Sequence, residues 1–93
     1  MAYSYADSKG FIGHGPSMGG ATALLKELNK NANPALYPCL HELLTTGETN
    51  NPNGLQGEAM RLTKKIKDKD VRDTLLCMAR AALIADGYVS ITN

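Results

Sequence analysis

The amino-acid sequence predicts a small, mainly α-helical domain, a bundle of about four helices around a central C-terminal helix at residues 70–86. That stretch carries the strongest helical apolar pattern, three shorter helical patterns precede it, and only the last residues alternate like a β-strand. The 93 residues suffice for one domain. We expect residues 1–16 to form an irregular N-terminal arm and residues 17–93 to form the helical core.

The central helix is predicted from its apolar positions and from signals at both ends. A helix that is apolar on nearly every side is normally enclosed by other elements. Asp70 is expected to cap the first turn, and Gly87 is expected to end the helix in a left-handed conformation. One apolar stripe consists of Val71, Leu75, Met78 and Ala82, and the remaining circumference is covered mostly by Leu76, Cys77, Leu83 and Ile84.

The first helical pattern follows a glycine-rich segment and is expected to end near Lys30. Ser17 can cap this helix. Glycines at positions 19 and 20 each cost about 1 kcal/mol of helix stability relative to alanine, so we expect the helix to begin nearer Ala21. Its predicted buried face consists of Ala21, Leu24, Leu25 and Leu28.

Two further helices are predicted before the central one. Asn33 is expected to cap the first of them, with Pro34 at its first position, and Gly47 is expected to end it. Asn53 is expected to cap the second. The predicted buried faces are Leu36, Leu40, Leu43 and Leu44 in the first, and Leu55, Ala59, Leu62 and Ile66 in the second.

Residues 88–92 alternate and contain several β-branched side chains, so they are predicted to form one short C-terminal strand. A single strand requires a neighbour. Residues 3–5 or 11–12 are the candidates within the chain, and another copy of the protein is the candidate outside it. We expect a homo-oligomer in which residues 88–92 contribute to the contacts.

Composition and charge exclude several classes of protein. The formal net charge is +1, which argues neither for nor against nucleic-acid binding. No run reaches the roughly 20 apolar residues of a membrane span, and the N-terminus lacks the apolar stretch of a signal peptide. We therefore expect a cytoplasmic protein without membrane contacts. Cys39 and Cys77 are expected to be reduced, buried thiols, and a disulfide is the alternative.

The glycine-rich segment at residues 13–20 is a candidate binding site. Backbone N–H groups that are free at a helix N-terminus favour an anion, so this segment can hold a nucleotide or another small anionic ligand. The alternative is a glycine-rich hinge or a closely packed turn. The candidate contacts to a ligand or partner are Gly13, His14, Gly15, Ser17, Gly19, Gly20 and Lys26.

Part of the same segment, Gly15-Pro16-Ser17-Met18-Gly19, resembles the nucleophile elbow of α/β-hydrolases, G-x-S-x-G. That motif requires a buried strand directly before it, and the preceding residues contain no apolar run of about four to eight residues. We therefore expect no catalytic residues and no enzymatic activity. Ligand spacings for calcium or zinc are also missing, so no metal and no cofactor are predicted.

A basic face on the third helix is the remaining candidate site, and it consists of Arg61, Lys64, Lys65 and Lys67. Such a face can bind nucleic acid. Acidic residues at positions 68, 70 and 73 follow it, and no aromatic residue is interleaved for base stacking. The alternative is the solvated side of an amphipathic helix.

The leading functional interpretation is a small non-enzymatic interaction or regulatory protein that binds a protein partner. Inhibitors and adaptors of the kind that mobile elements encode have this size and this lack of catalytic groups. The second interpretation is nucleotide or anion binding through residues 13–20. The third is nucleic-acid binding through the basic face.

Overall fold

Four α-helices and a small antiparallel sheet form the described part of the chain, which is residues 4–15, 18–30 and 32–92 of a computed structural model. The mainly helical prediction is correct in outline, but the strand content is larger than predicted. The strands are β1 (Ser4–Asp7), β2 (Gly10–His14), β3 (Glu48–Thr49) and β4 (Val89–Thr92). The helices are α1 (Met18–Lys30), α2 (Pro38–Thr46), α3 (Pro52–Thr63) and α4 (Lys69–Ile84), with a short 3-10 helix at Pro34–Leu36.

The prediction of an irregular N-terminal arm is wrong, because β1 and β2 form an antiparallel hairpin. Ile12 is an extra residue in β2, since the pairing changes from Tyr5–Gly13 to Ala6–Phe11. This bulge breaks the alternation that marks a strand in a sequence. Residues 1–3, 16 and 17 lie outside the described residues, and so does the expected cap at Ser17.

The predicted C-terminal strand is confirmed as β4, which lies between β1 and β3 in the strand order β2–β1–β4–β3. Its neighbour within the chain is β1, where Tyr5 pairs with Ile91. On its other side, Thr49 of β3 pairs with Val89. Because β4 has a neighbour on both sides, the argument for an oligomer built on an unpaired strand is lost. Oligomerisation itself stays a prediction.

The four helices and the inner face of the sheet enclose one core. Helix α4 packs along α3 and also against α1 and the hairpin. Its predicted stripe is confirmed, since Val71, Leu75, Met78 and Ala82 are all buried. The expectation that α4 is enclosed on every side is wrong, because the exposed fractions of Leu76, Leu83 and Ile84 are 45%, 76% and 57%.

The two ends of α4 differ from the prediction. Asp68 caps the helix instead of Asp70, since its Oδ1 accepts a hydrogen bond from the Val71 N–H over 3.1 Å. The helix ends at Ile84, and Gly87, whose φ is +81°, lies beyond that end in the loop that leads to β4. Gly87 therefore shapes the loop and is not the helix terminator.

Three of the other helix boundaries also need correction. Asn51 caps α3 in place of Asn53, because Pro52 occupies the first helical position and the Asn51 side chain accepts the Gly54 N–H. Asn33 caps the short 3-10 helix, and α2 begins four residues later than expected, after Tyr37. The predicted end of α2 is confirmed, since Gly47 is left-handed with a φ of +91°.

Helix α1 ends at Lys30 as predicted but begins at Met18, before the expected start near Ala21. The reason lies at Gly20, which is buried where α1 meets α4. A Cβ atom at this position would overlap the Thr74 Oγ1 atom. The glycine therefore permits a close approach of the two helices, which compensates for its low helix propensity.

The Gly20–Thr74 contact predicts that Gly20→Ala destabilises the protein by about 1–3 kcal/mol through overpacking, although alanine is the better helix former. In the double variant Gly20→Ala/Thr74→Ala the overlapping hydroxyl is absent, and the two Cβ atoms are 3.5 Å apart. Urea unfolding should therefore show that Gly20→Ala costs much less stability in the Thr74→Ala background. Equal costs in both backgrounds would contradict the contact.

Two leucines of α4 provide a matched test of which side of the helix is buried. Leu75 is fully buried and Leu83 is 76% exposed. Leu75→Ala should cost about 2–5 kcal/mol because it leaves a cavity, whereas Leu83→Ala should change stability by less than about 0.5 kcal/mol. Similar urea midpoints for the two variants would show that the helix is oriented differently.

Candidate functional site

The glycine-rich candidate site is divided between two elements, β2 and α1, and the link that joins them. Gly13 and His14 lie at the end of β2, Gly15 is buried directly after it, and Gly19 and Gly20 lie in the first turn of α1. Lys26 is exposed about 9 Å further along the α1 axis. The packing of Gly20 against Thr74 explains one of the glycines without a ligand. Anion binding by this segment stays a prediction.

The segment that resembles a nucleophile elbow does follow a strand, contrary to our expectation. That strand is β2, which lies at the edge of an antiparallel sheet and exposes Phe11 and His14. The rings of these two residues lie 4.7 Å apart at 55°, so the imidazole packs beside the Phe11 ring. A nucleophile elbow requires a buried strand, and β2 does not provide one.

The four cations of the basic face are all exposed and lie at the C-terminal end of α3 and in the turn after it. Arg61 has a structural role as well. Its guanidinium carbon lies 5.6 Å from the centre of the Tyr37 ring, and Nη2 donates a hydrogen bond to the Leu36 carbonyl over 3.3 Å. Within the described ranges, none of the four cations forms an ion pair.

A cleft adjoins the basic face where α1, the 3-10 helix and α3 meet. Its volume is about 240 Å³. This cleft is not predictable from the sequence, because the residues that line it come from three separate segments. These residues are Glu27, Ala32, Asn33, Leu36, Tyr37, Leu62, Lys65 and Ile66.

The apolar face of α4 is the second surface that the sequence did not predict. Leu76 lies seven residues before Leu83 and eight before Ile84, so the three side chains project from the same side of the helix. Arg80 lies between them and is also exposed. We call these four residues the α4 face. Helical periodicity identifies such positions as apolar but does not show which of them other elements cover.

Neither cysteine is an activated nucleophile. Both are free thiols and are half-buried. Burial and the neighbouring Glu58 carboxylate raise the pKa of the Cys39 thiol to about 11, and burial also raises the pKa of the Cys77 thiol. Because the thiolate is the reactive form, both side chains react slowly at neutral pH.

Glu58 is buried between α3 and α2 and replaces the missing cap of α2. Its two carboxylate oxygens accept hydrogen bonds from the Cys39 N–H over 3.2 Å and from the Leu40 N–H over 2.9 Å. The Tyr37 side chain, at the position before α2, forms no capping hydrogen bond. The Glu58 carboxylate is therefore a structural group at a helix N-terminus.

No helix in the described ranges combines the length and the apolar character that crossing a bilayer requires. In the same ranges, no three His, Cys, Asp or Glu side chains come together as a possible metal site. No family model, no curated protein and no solved structure matches the chain.

The raised pKa of Cys39 predicts how its alkylation depends on pH. The reaction with iodoacetamide should reach half of its maximal rate near pH 11, compared with 9.0 for an ordinary thiol. The pKa of the Cys39 thiol is higher in the folded protein than the ordinary value of 9.0 that applies to the unfolded chain. The protonated thiol therefore contributes to the free energy of unfolding below pH 9.0, and this contribution disappears as the pH rises towards 11. Mass spectrometry of the Cys39 peptide measures the rate, and Glu58→Gln should lower the midpoint. A midpoint near 9 in the folded protein would contradict this environment.

Proposed function

We propose that the chain is a small non-enzymatic interaction protein that binds a protein partner through the α4 face. The observation that carries this proposal is the exposure of Leu76, Leu83 and Ile84 on one side of a helix whose opposite side lies in the core. Single exposed apolar residues are common on protein surfaces. Three large ones on one helix face form a patch of the kind that marks interaction sites.

The energetics of the α4 face suit a reversible contact. Burying a large aliphatic side chain completely contributes about 1.5–3 kcal/mol, and each of the three is already partly covered. Arg80 adds a guanidinium within the patch, and arginine is enriched among residues that dominate binding energy at interfaces. The face is therefore suited to a helix or groove of another protein.

We further propose a regulatory role, as an inhibitor or adaptor, in the cytoplasm. The two free thiols support a reducing compartment. A second copy of the chain can also cover the α4 face, because a two-fold contact places the same patch of both copies together. Self-association and binding of a different protein are distinguished by the following experiment.

A photo-crosslinking amino acid at Leu83 should form an adduct with one protein in an extract of cells that encode the chain. The exposed Asn53 on α3 provides the control position. The adduct should disappear when Leu76→Glu is introduced beside the crosslinker, because a charge in the patch opposes its burial. Mass spectrometry identifies the captured protein, and an adduct of two copies identifies self-association.

Sedimentation of the purified protein completes the test, since a monomer has a mass of 10.0 kDa. If the wild type is larger and Leu76→Glu/Leu83→Glu restores the monomer, the partner at this face is a second copy. Equal adducts from positions 83 and 53, or no adduct from position 83 with a monomeric wild type, contradict the proposal.

A further inference from the structure

The cleft between α1, the 3-10 helix and α3 has an apolar floor. Tyr37, Leu62 and Ile66 are buried beneath it, with exposed fractions of 3%, 1% and 7%. Leu36 lies in the lining but is 59% exposed, so a large apolar side chain remains uncovered at its edge. A ligand that covers Leu36 removes apolar surface from water, which favours binding.

The rim of the cleft is mainly basic. Lys65 lines it, and Arg61 adjoins it through its contacts with Tyr37 and Leu36. Lys64 and Lys67 are exposed neighbours of the lining residues in the α3–α4 turn. Glu27 is the acidic residue among the lining residues. Two cations, Lys65 and Arg61, and one carboxylate, Glu27, therefore border this opening, and their net positive charge favours negatively charged groups.

The size of the cleft indicates what occupies it. Its volume of about 240 Å³ lies below the roughly 300–1,000 Å³ that is usual for pockets that enclose a complete small ligand. A cleft of this size suits one or two side chains of a longer partner. The apolar floor selects an apolar anchor, and the basic rim selects carboxylates beside that anchor.

The same basic residues suit nucleic acid less well. Binding of single strands relies on aromatic rings that stack against the bases. Tyr37, the aromatic residue of the cleft, is 3% exposed and has the Arg61 guanidinium over its ring. Its ring is therefore not available as a stacking platform. Phosphate contacts alone would leave the apolar Leu36 uncovered.

We infer that this cleft is a docking site for an acidic peptide segment of a partner protein. The segment places a large apolar side chain against Leu36 and the floor, and its carboxylates face Lys65 and the neighbouring cations. This site lies on different elements from the α4 face and does not depend on the function proposed for that face.

Fluorescence anisotropy with a labelled synthetic peptide tests the inference on the full chain. The probe alternates glutamates with leucine and phenylalanine. A second peptide replaces the glutamates with lysines, a third replaces the apolar residues with serines, and a single-stranded DNA oligonucleotide is the fourth probe. The first peptide should bind at least about tenfold more tightly than each of the other three, because the cleft offers both charge and apolar complementarity.

Two pairs of variants locate the binding. Lys65→Glu should weaken binding of the acidic peptide by about tenfold, whereas Arg72→Glu, at an exposed residue of α4 outside both the cleft and the α4 face, changes net charge equally and should have no effect. Leu36→Ser should weaken binding at least about fivefold, and Phe11→Ser, which removes a similarly exposed apolar side chain (62% against 59%) from β2, should not. Thermal unfolding of each variant by circular dichroism confirms that it is folded.

Four results would overturn the inference. The acidic peptide does not bind, or it binds no better than its serine counterpart. The oligonucleotide binds more tightly than the peptide, which would assign the basic face to nucleic acid. Finally, the cleft variant and its control weaken peptide binding equally in each pair, which would place the peptide elsewhere on the surface.

Discussion

The Asp7 carboxylate accepts a hydrogen bond from the Lys9 N–H in the hairpin turn over 2.8 Å, and another from the Asp86 N–H before β4 over 2.9 Å. Asp7 is only 5% exposed, so these bonds satisfy both oxygens of a buried charge. They bring the residues before β4 next to the first hairpin. Because β4 is the strand that joins β1 to β3, the order of the whole sheet depends on this connection.

Glu58 connects the helices in a similar way. Like Asp7, it is a buried acid that accepts two backbone N–H hydrogen bonds, and both donors to Glu58 come from a distant segment. Those N–H groups belong to the first turn of α2, which has no side-chain cap of its own. Burial and, after it, this carboxylate raise the pKa of Cys39, so the contact helps to favour the protonated form of a nearby thiol. Both acids therefore hold separate elements together.

The core that these contacts organise leaves two different surfaces at which we propose that partners bind. The α4 face is apolar with one arginine, whereas the cleft beside Lys65 is small, apolar at its floor and basic at its rim. They lie on different elements, so one need not block the other. The proposals that a partner binds at the α4 face and that an acidic peptide binds in the cleft therefore concern separate parts of the surface.

The sequence by itself determined the helical character of the chain, the buried stripe of α4 around Leu75, the end of α2 at Gly47 and the C-terminal strand. Each of these follows from a local period or from one residue with a special backbone conformation. Tertiary structure alone decided the pairing of β4 with β1, the exposure of Leu83, the need for glycine at position 20 and the cleft. These depend on contacts between distant segments, and local periodicity does not record which segments meet.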